Sequence, residues 1–297
     1  MGKTKTRSKT KSKLKTRKNK TFKQMNCSPS AKKLSFTCFT KEQLHKLKTL
    51  WNARHTDSKI KSNSSKTIWN SLKKNMKSTC SNESCWIKNN FSDDIDLQKS
   101  FLKSFAPSTP KSWNKNPNAW LSSIDINKVM KQYEEAYPEF NFIGPSPIDY
   151  NTILYDDKCV WQEICKFNCN KMLQKNKTKI GFIFNLDKHD QPGSHWVSLF
   201  SNLDNGNTYY FDSVGDAPPK EIINLMKNIK DQSQANSQPM KLHISKFPHQ
   251  FGDTECGIYS LYFIIQMLKH NNFNKFQNSR ISDKDIEKFR SIYFNKE

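Results

Sequence analysis

The 297-residue chain carries 49 Lys and Arg against 27 Asp and Glu, a formal charge of +22, with 35% hydrophobic residues. That length suits one or two domains with a sizeable core. The charge is concentrated at the N-terminus: Met1 to Lys41 holds 14 Lys and Arg before the first carboxylate, Glu42, which leaves +8 for the remainder.

No apolar stretch follows the N-terminal charges, so no secretory signal is expected. The longest apolar run, Ile258 to Leu268, is interrupted by Ser260 and Gln266 and falls short of the roughly 18–20 residues of a membrane helix. The expectation is a protein of a reducing compartment with no membrane partner, whose eight cysteines need no disulfide framework.

Taken in chain order, residues 1–34 are Lys-, Thr- and Ser-rich and too polar to offset the entropy of ordering, which predicts a disordered basic tail. A small helical region follows over 35–105. Thr40 and Gln43 form a capping-box pattern, and Leu44, Leu47, Leu50 and Trp51 share a helical face. Ile68, Trp69, Leu72 and Met76 mark a second helix, against which Cys80 to Phe91 packs through Trp86. The Pro- and Ser-containing stretch 105–118 reads as a linker.

The main domain spans 115–297. Ser122 caps a helix bearing Ile126, Val129, Met130 and Tyr133. Gly144-Pro145-Ser146-Pro147 breaks the chain before a helix with Val160, Ile164 and Phe167. Ile180 to Asn185 reads as a buried strand. His195 to Phe200 and Thr208 to Asp212 read as strands joined by a turn containing Asn205-Gly206, a strong hairpin signal. Ile222, Leu225, Met226 and Ile229 define a helix, and Leu242 to Ile244 a short strand. The stretch after Cys256 is apolar nearly all round, as a central helix would be. Ser282 opens a last helix with Ile286, Phe289 and Tyr293. The order is α+β, without a regular βαβ repeat.

The chemistry centres on Gln250-Phe251-Gly252-Asp253-Thr254-Glu255-Cys256-Gly257, where a polar loop delivers one cysteine to the first turn of the apolar helix. Unpaired N–H groups and the helix dipole there favour negative charge. A thiol near pKa 8.5 falls to roughly 3.5–7.5 beside such a terminus and an imidazolium. His195 opens an apolar strand and Asp212 ends its hairpin partner, so the two lie close, with Asp212 placed to orient His195 and His195 to face Cys256. Gln250 is placed to donate to an oxyanion together with the Cys256 N–H. The remaining histidines read as solvated or structural, with His249 nearest the site. The flanking Asp253 and Glu255 read as loop hydrogen-bonding groups. Cys80, Cys85 and the Cys159, Cys165, Cys169 cluster lack the ligand pairs of a zinc site, so no metal is expected.

The set Gly193-Ser194-His195-Trp196, Phe211-Asp212-Ser213, Gln250 and Asp253-Thr254-Glu255-Cys256-Gly257-Ile258-Tyr259, in that order, resembles the ubiquitin-like-protein protease family (Ulp/SENP, adenain-like). Ala119-Trp120-Leu121-Ser122-Ser123 resembles that family's opening Trp-Leu motif. The resemblance covers about 115–297. It implies a papain-like or adenain-like fold, a central mixed sheet flanked by helices. It also implies thiol endopeptidase activity without a cofactor, with Cys256, His195 and Asp212 catalytic, Gln250 at the oxyanion, and Trp120 and Trp196 enclosing a Gly-Gly strand of a protein substrate. The basic tail and helical N-terminal region are more like the maturation proteases of large DNA viruses, which act on structural precursors in the virion and host cytoplasm. The alternatives are a SUMO or ubiquitin-like-protein isopeptidase, and a non-catalytic virion protein that binds nucleic acid through residues 1–34.

Overall fold

The computed structural model describes residues 21–90, 94–235 and 239–296. The chain divides into two units. One comprises 41–102 with residues 21–24, and the other 25–40 with everything from Lys103 onward. Residues 1–20 of the expected basic tail lie outside the described residues.

The smaller unit contains α1 (Lys41–Arg54), α2 (Ser65–Asn75), α3 (Glu83–Asn90) and α4 (Ile95–Leu102). The apolar positions that predicted the first two helices are those they bury: Leu44, Leu47 and Trp51 on α1, and Ile68, Trp69 and Leu72 on α2. Trp86 of α3 is fully buried, its ring 6.0 Å from that of Trp69.

The larger unit is built on a five-stranded mixed sheet in the order β1 (Phe140–Pro147), β2 (Lys179–Asn185), β3 (Trp196–Asn202), β4 (Asn207–Phe211), β5 (Lys241–Ile244). The two outer pairings are parallel and the two inner ones antiparallel. Successive side chains of a strand face opposite sides, and both faces are apolar. Trp196, Phe200, Tyr209 and Phe211 join a core with α5 (Ser123–Ala136) and α9 (Cys256–His270). Val197, Leu199 and Tyr210 join a second core with α7 (Cys169–Gln174) and α8 (Lys220–Ala235). Every residue of β3 is therefore buried. The expected α+β fold, a mixed sheet flanked by helices, is observed.

α5 begins with a complete capping box between Ser122 and Asp125. Three expectations about local elements differ from the structure. The Gly-Pro-Ser-Pro segment does not break the chain but forms the end of β1, with an irregularity between Ile143 and Ser146. β1 is an edge strand, where a proline removes no ladder bond. The helix expected around Val160, Ile164 and Phe167 is only the single turn α6 (Gln162–Cys165). The last helix is split into α11 (Asp283–Glu287) and α12 (Arg290–Tyr293), after a short α10 (Phe273–Asn278).

The stretch 105–118 is not a free linker. Phe105 and Ala106 are buried, and Asn295 Nδ2 donates to the Ala106 carbonyl at 3.0 Å.

Residues 25–34 likewise do not behave as a tail. Met25 and Ser28 are buried, Ser28 N donates to Ser104 O, and Asn26 N donates to Asn295 Oδ1 at 2.8 Å. Backbone groups with such partners have exchanged water for protein. Nor is the expectation of unpaired cysteines met, since Cys27–Cys38, Cys80–Cys85 and Cys159–Cys165 are bonded pairs. Only Cys169 and Cys256 are free. Among the described residues no helix is long and apolar enough to cross a membrane, and no cluster of His, Cys, Asp or Glu is arranged to hold a metal ion.

Candidate active site

Cys256 is the first residue of α9 and is 1% exposed. The helix is held on the sheet by Ser260 Oγ, which donates to Trp196 O at 3.1 Å. Close approach requires Gly257, where a Cβ would lie 3.2 Å from Leu121 Cβ and 3.3 Å from Trp196 Cδ1.

Asp212 directly follows the hairpin ladder, whose end pair is Ser198 with Phe211, and His195 directly precedes β3. The tight turn at Gly206, with φ of +62°, fixes that register. His195 Nε2 lies 2.7 Å from Asp212 Oδ1, and the Cys256 side chain is close enough to act electrostatically on the His195 ring. Burial disfavours the charged ring, but hydrogen bonds and attraction to Asp212 and Cys256 outweigh it and raise the His195 pKa from 6.5 to about 10. Asp212 is 1% exposed and is fixed by Val214 N, which donates to the same Oδ1 at 3.0 Å. The structure therefore brings the three predicted side chains together, with the His195 ring between Asp212 and Cys256.

Gln250 belongs to the same cluster. Its Oε1 accepts from Ser213 Oγ at 2.7 Å, and its Nε2 donates to Gly252 O at 2.6 Å. An amide NH₂ has two hydrogens, so one remains for an oxyanion. Ser213 O also accepts from the backbone N–H groups of His249 and Gln250, which couples the residue after Asp212 to the loop that carries Gln250. On the other side of that loop, Asp283 Oδ2 accepts from Phe251 N and Gly252 N at 3.0 Å each. The sequence carried no signal for these anchors, because a carboxylate 31 positions away has no period or spacing to betray it.

His249 is fully buried. Burial, and secondarily Arg280, push its pKa down to about 4. Its Nδ1 accepts from Ile281 N, and its ring stacks on Phe276. It is a neutral packing residue. Glu255 is more than a loop hydrogen-bonding group: it forms a buried ion pair with Arg290 at 2.7 Å.

A cleft of about 590 Å³ is lined by Trp120, Trp196, Gly193, Pro145, Trp161 and His189, among others. The two predicted tryptophans share it but differ in burial: Trp196 is 7% exposed and Trp120 43%. His189 Nδ1 pairs with Asp149 Oδ2 at 2.7 Å, a His–carboxylate pair that the sequence did not single out.

A thiol at a helix start beside an imidazole braced by a carboxylate is equipped for nucleophilic acyl transfer, which is the work of cysteine-type peptidases. Sequence comparison leads to the same class. Residues 126–297 match the model of the Ulp1 protease family, C-terminal catalytic domain, and the chain belongs to that family of cysteine-type peptidases. It is 36% identical over 179 residues to a protein of Acanthamoeba polyphaga mimivirus named as a thiol protease, a match spanning 59% of this chain and 56% of that protein. It is 27% identical over 253 residues to a cysteine protease of African swine fever virus, covering 80% of this chain and 91% of the viral protein. A crystal structure of an African swine fever virus protease superposes with a TM-score of 0.65 at 20% identity, over 92% of this chain and 96% of that one. This likeness shows the shared fold.

Proposed function

We propose that the chain is a thiol endopeptidase that cleaves after small residues, in Gly-Gly-X sequences, and matures structural precursor proteins of a virus. The observation that carries this reading is the 2.7 Å pairing of His195 Nε2 with the buried Asp212 carboxylate, with Cys256 at the head of α9 close enough to raise the His195 pKa. The cleft walled by Trp120 and Trp196 supports the preference for small residues, because a slot between aromatic rings rejects side chains sterically. The viral sources of the relatives support the choice of substrate.

The Cys256 thiolate attacks the carbonyl carbon after glycine, and the C=O electrons move to oxygen. The free Gln250 amide hydrogen and the Cys256 N–H stabilise that oxyanion, each such donor being worth about 3–4 kcal/mol. The C–N bond breaks as His195 gives its proton to the leaving amine, leaving a thioester and a neutral imidazole. His195 then takes a proton from water, the hydroxide adds to the thioester, and departure of the thiolate restores the ion pair. Asp212 orients the ring throughout.

Incubation with candidate precursor proteins and mass spectrometry of the fragments tests the reading. Cuts after Gly-Gly that disappear in Cys256→Ala are expected. Cleavage that persists in Cys256→Ala sinks the catalytic assignment, and cuts beside bulky residues sink the specificity. Several of the African swine fever virus relatives are named SUMO-1 cysteine protease. Release of SUMO from a conjugate, without cleavage of precursors, would favour that second reading.

A further inference from the structure

We propose that Arg290 is a positioning residue for this site, holding the turn that presents Cys256 and the segment that carries Trp120 in one register. The proposal rests on the reading of Cys256 as nucleophile.

Arg290 lies on α12 and is 6% exposed. Its Nε donates to both carboxylate oxygens of Glu255, at 3.0 and 2.8 Å, and its Nη2 to Glu255 Oε1 at 2.7 Å. Glu255 immediately precedes Cys256, and the Arg290 Nη2 also donates to the neighbouring Thr254 carbonyl at 3.2 Å. The guanidinium also reaches a separate segment. Nη1 donates to Ala119 O at 2.9 Å, and Nη2 shares its hydrogens with Asn118 O at 3.3 Å. Trp113 completes the junction: the guanidinium lies 4.5 Å from its ring centroid, and its Nε1 donates to the same Ala119 carbonyl.

These contacts join the two parts of the site that must agree in position. Beyond Ala119 come Trp120, which walls the cleft, and Leu121, which accepts the Trp196 indole N–H. Beyond Glu255 comes Cys256. Only a planar fork with several donors spans both.

Stability alone does not account for such a pair. Two buried charges pay a desolvation penalty that apolar residues of equal volume avoid, so a buried ion pair is weak evidence for stabilisation. What this one supplies is geometry. It also pairs the Glu255 charge, which would otherwise stand unpaired beside a residue whose sulfur must become negative.

The test compares the full-length wild type with Glu255→Gln, Arg290→Lys and the double variant Glu255→Gln/Arg290→Met. Three quantities are read: kcat and KM on a Gly-Gly peptide, the alkylation rate of Cys256 by iodoacetamide followed by peptide mapping, and melting temperature. Glu255→Gln weakens the anchor of the turn before Cys256 and leaves the Arg290 charge without a carboxylate, while the bonds to 118–119 remain, so kcat and alkylation should fall about tenfold while KM changes little. Arg290→Lys keeps the charge but loses the fork to 118–119, so KM should also rise several-fold. The double variant keeps no buried charge unpaired and should fold, yet should remain slow.

If kcat, KM and alkylation of the folded variants all stay within about twofold of wild type, and only melting temperature moves, the pair is merely structural and the proposal is wrong. Should Arg290→Lys fail to fold, Glu255→Gln and the double variant decide the matter by the same criterion. Activity surviving in Cys256→Ala would overturn the nucleophile assignment instead, which keeps the two failures distinct.

Discussion

The indole Nε1 of Trp196 donates to the carbonyl of Leu121 at 3.1 Å. This bond ties the residue after His195 to the residue after Trp120. The two aromatic walls are thus coupled to each other, but they are not equivalent. Trp196 is buried and held by a hydrogen bond, whereas Trp120 presents much of its ring to solvent.

Trp120→Ala should therefore relax specificity at small cost to the fold, about 1 kcal/mol or less. Turnover of a peptide with a bulky residue before the cut should rise relative to Gly-Gly. Trp196→Ala should cost about 3–5 kcal/mol, as truncation of a buried tryptophan does. Trp196→Phe is the better probe of that wall. Unchanged discrimination in a well-folded Trp120→Ala would remove this residue from the specificity slot. Steady-state kinetics on paired peptides, with thermal melts, makes the comparison.

Asp212→Asn should leave the hairpin intact, because the side-chain oxygen can still accept from Val214 N. The negative charge that holds His195 protonated is lost. By analogy with serine triads, kcat/KM should fall by about 10²- to 10⁴-fold. Circular dichroism should be unaltered. Full activity in the folded variant would move the orienting role to another carboxylate.

Gln250→Ala should lower kcat by about 10²- to 10³-fold, the usual effect of deleting one oxyanion donor. Ser213→Ala should produce a smaller loss in the same direction, since it frees the Gln250 amide to rotate without removing it. If the Ser213 variant loses more than the Gln250 variant, the bond between them is serving another purpose. Single-turnover rates separate chemistry from binding here.

The pH dependence of stability follows from His195, whose pKa is carried up to about 10 in the folded protein by Asp212 and Cys256 against the opposing effect of burial. The folded state thus binds a proton that the unfolded chain releases near its ordinary value of about 6.5. This contribution to stability is fully present below about pH 6.5, declines as pH rises, and is gone once pH passes about 10. Urea midpoints measured at about pH 6, 8 and 10 should fall more steeply in wild type than in His195→Gln. Parallel slopes in the two proteins would contradict the raised pKa.

The N-terminal 20 residues contain ten Lys and Arg and no acid, and we propose that they bind polyanions such as DNA. Truncation should stop at residue 20, because Met25 and Ser28 are buried in the larger unit. Removing residues 1–20 should abolish most DNA affinity and its steep salt dependence, while cleavage of a short peptide survives. Undiminished DNA binding across a salt series would place the interaction on the folded part of the chain.

The sequence by itself determined the elements whose signal is local. The helical spacing of Leu44, Leu47 and Trp51, the Ser122 cap, and the Asn205-Gly206 turn all correspond to observed features. It also paired His195 with Asp212 through a hairpin and Gln250 with Cys256 through a loop-to-helix junction, both by short-range rules, while the family resemblance joined the two pairs. Tertiary structure decided the rest. β1 carries two prolines, which masked the strand-like Phe140-Asn141-Phe142-Ile143 before them; its parallel partner β2 is there to receive it. Residues 25–34 looked too polar to order, yet their backbone finds partners at Ser104 and Asn295 that no nearby residue announces. Arg290 and Asp283, and the bond from Ser213 to Gln250, escaped notice for the same reason. Their work is done by hydrogen bonds to loops that are 31–37 positions away and, for Arg290, more than 170. A long-range hydrogen bond leaves no periodicity in a sequence and becomes visible only once packing has brought its donor and acceptor together.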